Sequence, residues 1–527
     1  MRSVVLSGFM ATGKSTVGPR LASRLGVPFV DTDAEIERMA GKRVPDLWRE
    51  EGEAGFRARE GALVERLLGD AAPKVVAFGG GTVTTKKTRR FALDRAMVVT
   101  LTASPETVAA RVAHLADRPN LAVGGDAVAR ASDLLAERAE VYAESHLALS
   151  SEALDADEIV EAIAALVERD PLLVPLGSRS YDIDLCDGVP SRLTDAIARL
   201  APSSVVLVTD SNVQRARGAA LEAALHPLAM AGTRVTLPPG ESQKTLANVA
   251  AIWDAALGAG VDRDALVVAA GGGVVGDLAG FAAACLLRGV RLLQVPTTLL
   301  AMVDSSVGGK TGFDQPAGKN LVGAFHQPSA VVADLAHLET LPPRERAAGL
   351  AEVAKIALAA DEALLARLER DAPALARGDR AALAPVVRES IQAKIRIVRD
   401  DERESGARAL LNLGHTVGHA LETHGSYSRW LHGEAVALGV VAEMAATAKL
   451  GWTPAALVER ARALFAALGL PSALDERELA ASWPYVGNDK KRAGSTLRLP
   501  VVTAPGSSHV ERVSLVALEG AMLGRRR

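Results

Sequence analysis

The chain has 527 residues, more than one hydrophobic core usually fills, so two or three domains are expected. Its 60 lysines and arginines nearly balance 63 aspartates and glutamates, and a net charge of -3 offers no broad basic field for a nucleic acid. Cys186 and Cys285 are too few for a disulfide framework or a thiolate zinc site. We also recognise no signal peptide and no membrane span. These features predict a cytoplasmic protein with small-molecule ligands and no nucleic acid or membrane partner.

Residues 1–168 alternate short β-branched runs with longer stretches of Ala, Leu, Arg and Glu, a pattern typical of a parallel α/β fold. The predicted strands are Ser3 to Ser7, Val75 to Phe78, Val98 to Thr102 and His146 to Ser150. A predicted helix from Glu158 to Arg169 closes this part. Two prolines and a glycine follow, so we place a linker at residues 169–176.

A second α/β series begins near Tyr181, and beyond Pro343 it gives way to Ala-rich helical periodicity. The predicted strands are Val205 to Thr209, Arg234 to Leu237, Leu266 to Ala270 and Leu292 to Val295, and the predicted helices are Arg344 to Arg370, Ala382 to Arg399 and Leu410 to Leu421. The prediction is an α/β protein with a second domain at 177–527. That domain divides into a nucleotide-binding α/β part at 177–342 and a mostly helical part at 343–527.

The segment GFMATGKS at residues 8–15 fits a loop whose amides cradle nucleotide phosphates. In such a loop Lys14 supplies a cation and the Ser15 hydroxyl binds magnesium. A predicted strand precedes the loop and a predicted helix, Thr16 to Leu25, follows it, as this mechanism requires. The motif indicates ATP but does not identify the group that accepts the phosphate.

The segments after this loop resemble shikimate kinase in order and spacing, and the likeness covers nearly all of residues 1–168. The matching segments are Phe29 to Asp33, Ile36-Glu37, Gly52-Glu53, Phe56-Arg57, Glu60 and Gly79 to Gly81. By this resemblance Asp33 binds the ring hydroxyls of shikimate, and Arg57 and Arg138 hold its carboxylate. Backbone at Gly80 and Gly81 then approaches the ring.

The same resemblance implies the residues that handle ATP. Arg118 looks like the lid arginine that stabilises charge on the transferring phosphoryl group, and Asp31 supports the magnesium shell. The implied nucleotide and magnesium residues are Gly8, Gly13, Lys14, Ser15, Thr16, Asp31 and Arg118.

A second chemical site begins where residues 266–277, LVVAAGGGVVGD, predict a strand, a glycine turn and a helix start. That arrangement suits a pyrophosphate, although it is not the standard dinucleotide fingerprint. Further on, His415 and His419 are four residues apart in a helical window, so both imidazoles share one face. With a carboxylate they would make an ordinary zinc site, and Glu352 and His432 are further candidates. Spacing alone leaves a plain pair of surface histidines as the alternative.

Dense motifs over about residues 172–520 resemble 3-dehydroquinate synthase. They are Arg288-Gly289, Pro296 to Leu300, Asp304 to Lys310, Gly318 to Asn320, Ala351 to Lys355, Leu411 to His419 and His432 to Glu434. The resemblance assigns zinc, or cobalt in its place, to Glu352, His415 and His432. It leaves His419 for the substrate and proton transfer.

The resemblance implies that NAD transiently oxidises a ring hydroxyl of 3-deoxy-D-arabino-heptulosonate 7-phosphate, after which phosphate leaves and the ring opens and recloses. Zinc would act as a Lewis acid. The implied dinucleotide residues are Asp210, Asn212, Glu241, Lys244, Gly272, Gly273, Val274, Asp277, Thr297, Thr298 and Lys319. The implied substrate and catalytic residues are Arg288, Asp304, Lys310, Asn320, Lys355, Lys394, Arg408, Asn412, His419, Lys490 and Lys491.

The main hypothesis is therefore a bifunctional enzyme of the shikimate pathway that forms a homodimer through its second domain. One alternative makes the second half a different sugar-phosphate cyclase or a metal-dependent polyol dehydrogenase. Lys310, Lys394 and Asn412, among other substrate-clamping residues, favour the dehydroquinate product instead. Another alternative makes the first domain a regulatory nucleotide-binding module. Asp33 and Arg57 argue against it, because a sensor has no need of groups that clamp an acceptor.

Overall fold

The structure is a computed structural model that describes residues 1–113, 126–228, 230–316, 318–486, 492–493 and 496–524. The chain divides into two compact units, Met1–Ile183 and Asp184–Arg527. Within the described ranges, every helix is too short or too polar to cross a lipid bilayer.

The first unit is built on five parallel strands in the order β2-β3-β1-β4-β5. The strands are β1 Ser3–Ser7, β2 Phe29–Asp31, β3 Val75–Ala77, β4 Ala96–Thr102 and β5 Leu147–Ser150. The helices are α1 Lys14–Leu25, α2 Thr32–Ala40, α3 Val44–Gly69, α4 Lys86–Arg95, α5 Pro105–Ala113, α6 Ala127–Ala143 and α7 Ala156–Arg169. The central strand β1 is buried along its whole length because helices cover both sheet faces. The order of the strands reverses at β1, and in such sheets ligands bind at the carboxyl ends beside this point.

Near the boundary, β6 Leu172–Val174 and β7 Tyr181–Cys186 form an antiparallel pair. The segment predicted as a linker therefore contains a short strand.

The second unit has an α/β part with five parallel strands in the order β14-β11-β10-β8-β9. Its strands are β8 Val205–Asp210, β9 Gly232–Leu237, β10 Leu266–Gly271, β11 Arg291–Pro296 and β14 Ala330–Asp334, with the antiparallel hairpin β12 Lys310–Gln315 and β13 Gly318–Phe325. Its helices are α8 Ser191–Leu200, α9 Ser211–Leu225, α10 Leu246–Gly258 and α11 Gly273–Cys285. Alternate strand residues fill two apolar clusters, Val206 on one side of the sheet and Val205 on the other.

The rest of this unit is mainly helical. Its helices are α12 Pro343–Ala360, α13 Glu362–Arg377, α14 Arg380–Val398, α15 His415–His424, α16 His432–Lys449, α17 Ala455–Ala467, α18 Glu476–Val486 and α19 Leu515–Leu523. Its strands are β15 Arg492–Ala493, β16 Thr496–Ala504 and β17 Ser507–Ser514, which form one antiparallel sheet.

Two predicted helices are interrupted, each for a local reason. The helix expected from Arg344 to Arg370 ends at Ala360, because the Asp361 side chain accepts the Leu364 N–H and starts a new helix. The helix expected from Leu410 to Leu421 begins only after Gly414, whose φ of 78° is left-handed and non-helical. The β16–β17 hairpin was not among the predicted strands.

Candidate active sites

The loop after β1 curls around the amino group of Lys14. Gly8 has a φ of 127°, and a Cβ there would lie 2.2 Å from the Leu101 carbonyl oxygen, so only glycine fits. Lys14 Nζ donates to the carbonyl oxygens of Gly8 at 2.8 Å and Phe9 at 2.7 Å. Because α1 starts at Lys14, its first-turn N–H groups point into the loop, as anion binding requires.

The two predicted magnesium residues lie next to each other. Ser15 Oγ donates to Asp31 Oδ2 at 3.2 Å. The other oxygen of Asp31 accepts the N–H groups of Asp33 and Ala34 and caps α2. One hydroxyl and one carboxylate oxygen at the end of the phosphate loop are ligands that suit Mg²⁺.

The glycine turn after β3 packs against the residues predicted to bind the acceptor. A Cβ on Gly79 would lie 2.6 Å from Asp33 Oδ1, and one on Gly81 would lie 2.0 Å from Arg57 Nη2. Arg57 also lies 5.1 Å from the centroid of the Trp48 ring. The structure therefore brings a carboxylate and a guanidinium to one glycine-lined surface.

Arg138 reaches the same turn from α6. It donates to the Gly80 carbonyl oxygen at 3.4 Å and lies 5.6 Å from the centroid of the Phe9 ring. Tyr142 donates to that carbonyl at 2.5 Å, and burial raises the pKa of its hydroxyl. Among the described residues, the buried Nε atoms of Arg57 and Arg138 have no hydrogen-bond partner. Two such guanidinium donors suit a carboxylate ligand.

Two residues in this unit have roles that the sequence did not reveal. Glu60, buried in α3, pairs with Arg57 and accepts the Thr82 hydroxyl at 2.6 Å. Arg111 donates to the Ala11 carbonyl at 3.0 Å and so braces the phosphate loop. A single arginine on a helix carries no sequence signal for that contact. The predicted lid residue Arg118 lies outside the described residues.

In the second unit the glycine turn joins β10 to α11. A Cβ on Gly272 would lie 3.1 Å from Thr298 Cγ2, so Gly272, Gly273 and the Thr297-Thr298 pair are neighbours. Asp277, one turn into α11, pairs with Lys244. Burial raises the pKa of Asp277 while Lys244 opposes that effect.

The other predicted dinucleotide residues lie at the end of β8, in the turn before α10 and on β13. Asp210 ends β8, beside β10, and its side chain accepts the Asn212 N–H at 2.8 Å. Lys319 Nζ lies 3.0 Å from Glu241 and 3.1 Å from Glu422. The predicted set thus converges, with Asp210 also serving as the cap of α9.

The predicted metal ligands meet although three separate helices carry them. Glu352 lies within α12, while His415 and His432 are the first residues of α15 and α16. One ligand atom from each residue lies within 4.8 Å of the other two. Glu352 Oε1 is 3.6 Å from His432 Nε2 and 3.9 Å from His415 Nε2. Within the described part of the chain this buried oxygen has no hydrogen-bond partner, so the donor set fits a divalent cation such as zinc.

The environment of His432 is strongly acidic. Burial, the largest single effect, disfavours its charged form, yet Glu422 and Glu352 together raise the pKa of His432 to about 10. A second possible ligand group, His419, Glu422 and His432, shares this histidine. His419 is exposed and its ring centroid lies 5.2 Å from that of His415.

Buried cations cluster beside the metal ligands, each next to a carboxylate. Lys394 pairs with Asp304 in the π-helical turn Ala301–Ser305, and Lys355 pairs with Glu352. Burial lowers the pKa of Lys394 to about 8, although Asp304 opposes that shift. Burial works against the charged form of Asp304, but the neighbouring Lys394 keeps its pKa well below the usual range.

Four further predicted substrate residues are Lys310, Arg408, Asn412 and Asn320. Lys310 pairs with Glu404, which also accepts from Asn412 at 2.6 Å, and Arg408 donates to the Gly308 carbonyl at 3.1 Å. Asn320 has a left-handed φ of 52° at the β13 start.

The predicted substrate residue Arg288 follows α11 in the chain. Arg288 is exposed beyond the far end of α11, whose 13 residues span about 20 Å from the glycine turn. Lys490 and Lys491 lie outside the described residues.

The fold and the two sites define the class: a P-loop kinase joined to a sugar-phosphate cyclase. The shikimate kinase family model matches residues 10–168. The models for the N-terminal and C-terminal parts of 3-dehydroquinate synthase match residues 234–348 and 349–492.

Relatives and solved structures agree with these matches. A 3-dehydroquinate synthase of Halorhodospira halophila is 48% identical over 340 residues, which cover 64% of this chain and 94% of that protein. One from Pseudomonas fluorescens is 46% identical over 340 residues, which cover 64% of this chain and 92% of that protein. A solved structure of 2-epi-5-epi-valiolone synthase from Streptomyces hygroscopicus, with NAD+ and Zn2+ bound, superposes with a TM-score of 0.58. Its sequence is 27% identical, and the match covers 65% of this chain and 96% of that chain.

The chain belongs to the 3-dehydroquinate synthase family and carries a shikimate kinase domain ahead of it. It is a bifunctional enzyme of the shikimate pathway, with a transferase half and a lyase half. The greater identity to dehydroquinate synthases than to the valiolone synthase disfavours a different cyclase.

Proposed function

We propose that the first unit transfers the γ-phosphate of ATP to the 3-hydroxyl of shikimate. Lys14 would hold the phosphates, and Ser15 and Asp31 would hold Mg²⁺, which neutralises charge on the phosphoryl oxygens when bound. The ring hydroxyls would meet Asp33, and the carboxylate would meet the free Nε donors of Arg57 and Arg138. The packing of these groups around one glycine turn, directly beside the phosphate loop, is the observation that supports this assignment.

For the second unit we propose cyclisation of 3-deoxy-D-arabino-heptulosonate 7-phosphate to 3-dehydroquinate with release of phosphate. Glu352, His415 and His432 would hold zinc or cobalt, and NAD would lie at the Gly272 turn. When bound, the metal polarises a substrate oxygen and the nicotinamide accepts and returns a hydride. The orphaned carboxylate oxygen of Glu352, facing two imidazole nitrogens, is the observation that carries this proposal.

The chain's own residues would bind and orient the anionic substrate. Lys394 and Lys310 carry positive charges that would bind the phosphate and the carboxylate of the substrate. Arg408 would add the N–H donors of a planar guanidinium group. Asp304 and Glu404 hold the two lysines before substrate arrives. His419, exposed beside His415, is the group we assign to proton transfer.

Three variants, one in the first site and two in the second, test both halves in one chain. Lys14→Ala should abolish ATP-dependent phosphorylation of shikimate and leave phosphate release from the seven-carbon substrate intact. Glu352→Gln and His415→Ala should do the reverse and also lose bound metal on elemental analysis. Loss of both activities in one variant would indicate misfolding, and retained phosphate release in Glu352→Gln would overturn the metal assignment.

We further propose domain bounds of 1–168 and 177–527, a homodimer formed through the second domain, and a cytoplasmic location. Exposed apolar side chains on β13, at Leu321, Val322 and Phe325, support an interface on this unit. Both cysteines are free thiols, which suits a reducing compartment. Light scattering of the full chain, with Phe325→Glu as the variant, tests the dimer: a monomeric wild type would contradict it.

A further inference from the structure

Glu422 is a buried carboxylate in the second unit to which neither the sequence motifs nor the proposed reaction gives a task. Its side chain is only 3% exposed, near the end of α15. One oxygen lies 3.3 Å from Nδ1 of His432, and the other lies 3.1 Å from Nζ of Lys319. Both oxygens therefore have partners, and one partner is a proposed metal ligand.

The two proposed histidine ligands are held in the same way. Nδ1 of His415 lies 3.2 Å from the Leu413 carbonyl oxygen, and Nδ1 of His432 faces Glu422, while both Nε2 atoms face Glu352. A metal-binding imidazole usually donates its other N–H to a carbonyl or carboxylate, which fixes the ring and its tautomer. The pattern of contacts is the one expected if each Nε2 lone pair is presented to a shared cation.

We propose that Glu422 is a positioning residue that holds the His432 ring with Nε2 directed at the metal, a role that rests on the proposed metal site. Lys319 keeps Glu422 in place, since its ammonium also pairs with Glu241 at 3.0 Å and lies 4.5 Å from the centroid of the Tyr427 ring. A continuous chain of polar contacts thus runs from the proposed dinucleotide residues to the metal ligands.

The competing interpretation makes Glu422 itself a ligand, together with His419 and His432. Two observations favour the positioning role. Both Glu422 oxygens are already engaged, whereas Glu352 Oε1 has no hydrogen-bond partner among the described residues. A carboxylate oxygen has two lone pairs, and Glu352 Oε1 is the oxygen that faces Nε2 of both histidines with neither lone pair in a hydrogen bond to a described residue.

The test is Co²⁺ binding to the metal-free full-length chain, measured by competition with a chromophoric chelator and by the visible absorption of bound Co²⁺. Glu422→Gln should bind Co²⁺ 10- to 100-fold more weakly, the range typical for loss of such a partner, and should shift the absorption bands. Glu422→Asp keeps the negative charge on a shorter side chain, so its Co²⁺ affinity should lie between those of Glu422→Gln and the wild type.

Glu478→Gln is a matched control, because Glu478 is also mostly buried and accepts from a ring N–H, Trp430 Nε1 at 2.9 Å, and from a cation, Arg429 at 3.0 Å. Its Co²⁺ affinity and spectrum should equal those of the wild type. An equal loss of Co²⁺ affinity in Glu478→Gln would mean that removing any buried carboxylate charge from this region weakens metal binding. That result would overturn the proposal.

Glu352→Gln separates this inference from the metal site on which it rests. If Glu352→Gln loses Co²⁺ binding and Glu422→Gln keeps wild-type affinity and spectrum, only the positioning role fails. If Glu422→Gln loses binding as completely as Glu352→Gln, Glu422 is a ligand and the proposal is wrong. If Glu352→Gln binds normally, the proposed metal centre itself is refuted.

Discussion

Glu443 is predicted to hold the helix that carries His415. Its side chain, fully buried in α16, accepts the N–H groups of Gly414 at 2.8 Å and Val417 at 3.0 Å. Gly414 is the N-cap of α15 and has no side chain with which to cap it. A carboxylate from the neighbouring helix therefore supplies the acceptor, and its charge suits the positive end of the helix dipole.

The expected cost follows from these two contacts. A hydrogen bond to a charged group contributes about 1.5–3 kcal/mol, so Glu443→Ala should destabilise the second unit by roughly 3–5 kcal/mol. Glu443→Gln keeps one carbonyl acceptor but places an NH₂ group against the other backbone donor, so about 1.5–3 kcal/mol is expected. Metal affinity should fall in the same order, because His415 is the first residue after the cap.

Urea unfolding followed by tryptophan fluorescence measures this effect. Four of the five tryptophans lie after residue 183, so the signal reports mainly on the second unit, and shikimate kinase activity provides an independent reference for the first. The two units need not unfold together, so midpoints of the fluorescence transition are compared, not a global free energy. Equal midpoints for Glu443→Gln and the wild type, or for Glu443→Gln and Glu443→Ala, would refute the reasoning.

Three further predictions concern the two active sites. Gly81→Ala places a methyl group 2.0 Å from the Arg57 guanidinium, so the KM for shikimate should rise tenfold or more with the KM for ATP unchanged in steady-state assays; a change in both would contradict it. Glu60→Gln removes the carboxylate that holds Arg57, and a tenfold rise in the KM for shikimate, about 1.4 kcal/mol, is expected with cyclase rates unaffected. Because the pKa of Lys394 is lowered to about 8, its ammonium is present below that pH and lost above it, so kcat/KM for phosphate release should fall as pH rises through about 8. A flat profile to pH 10 would be inconsistent with that role.

The phosphate loop could be predicted from sequence because its chemistry is local. The loop from Gly8 to Ser15 needs only a strand before it and a helix after it, and both are encoded by neighbouring residues. The acceptor site needed more than local pattern. The family resemblance named Arg138 as a residue that holds the carboxylate of shikimate, but nothing in the sequence indicated that it reaches the Gly80 carbonyl from 58 residues away.

At the proposed metal site, the spacing of residues along the sequence does not identify the ligands. A separation of four residues favoured His415 and His419, yet the His415 ring lies 5.2 Å from His419 and 5.3 Å from His432, so distance between rings does not choose between them. The choice rests on Glu352, whose free oxygen faces Nε2 of His415 and His432. Close packing of α15 against α16 creates that arrangement: a Cβ on Gly439 would lie 2.0 Å from the Gly414 carbonyl oxygen. Helix packing of this kind cannot be read from residue spacing.

Glu404, which holds Lys310, was not predicted, because a glutamate in a polar segment is usually a solvated surface residue. Asp304, which holds Lys394, was indicated by the family resemblance. Lys310 pairs with Glu404 and Lys394 with Asp304 before any substrate is present. Buried charges are tolerated only when they are paired, so Asp304 lets the fold keep the buried Lys394, whereas the side chain of Lys310 is 49% exposed. An anionic substrate must then compete with a resident carboxylate for each lysine. If Lys310 and Lys394 bind the substrate as proposed, a ligand with both a phosphate and a carboxylate gives each lysine a new anionic partner, whereas the hydroxyls of a neutral polyol offer only weaker, neutral acceptors. This exchange would favour the doubly anionic substrate of a synthase over that of a dehydrogenase.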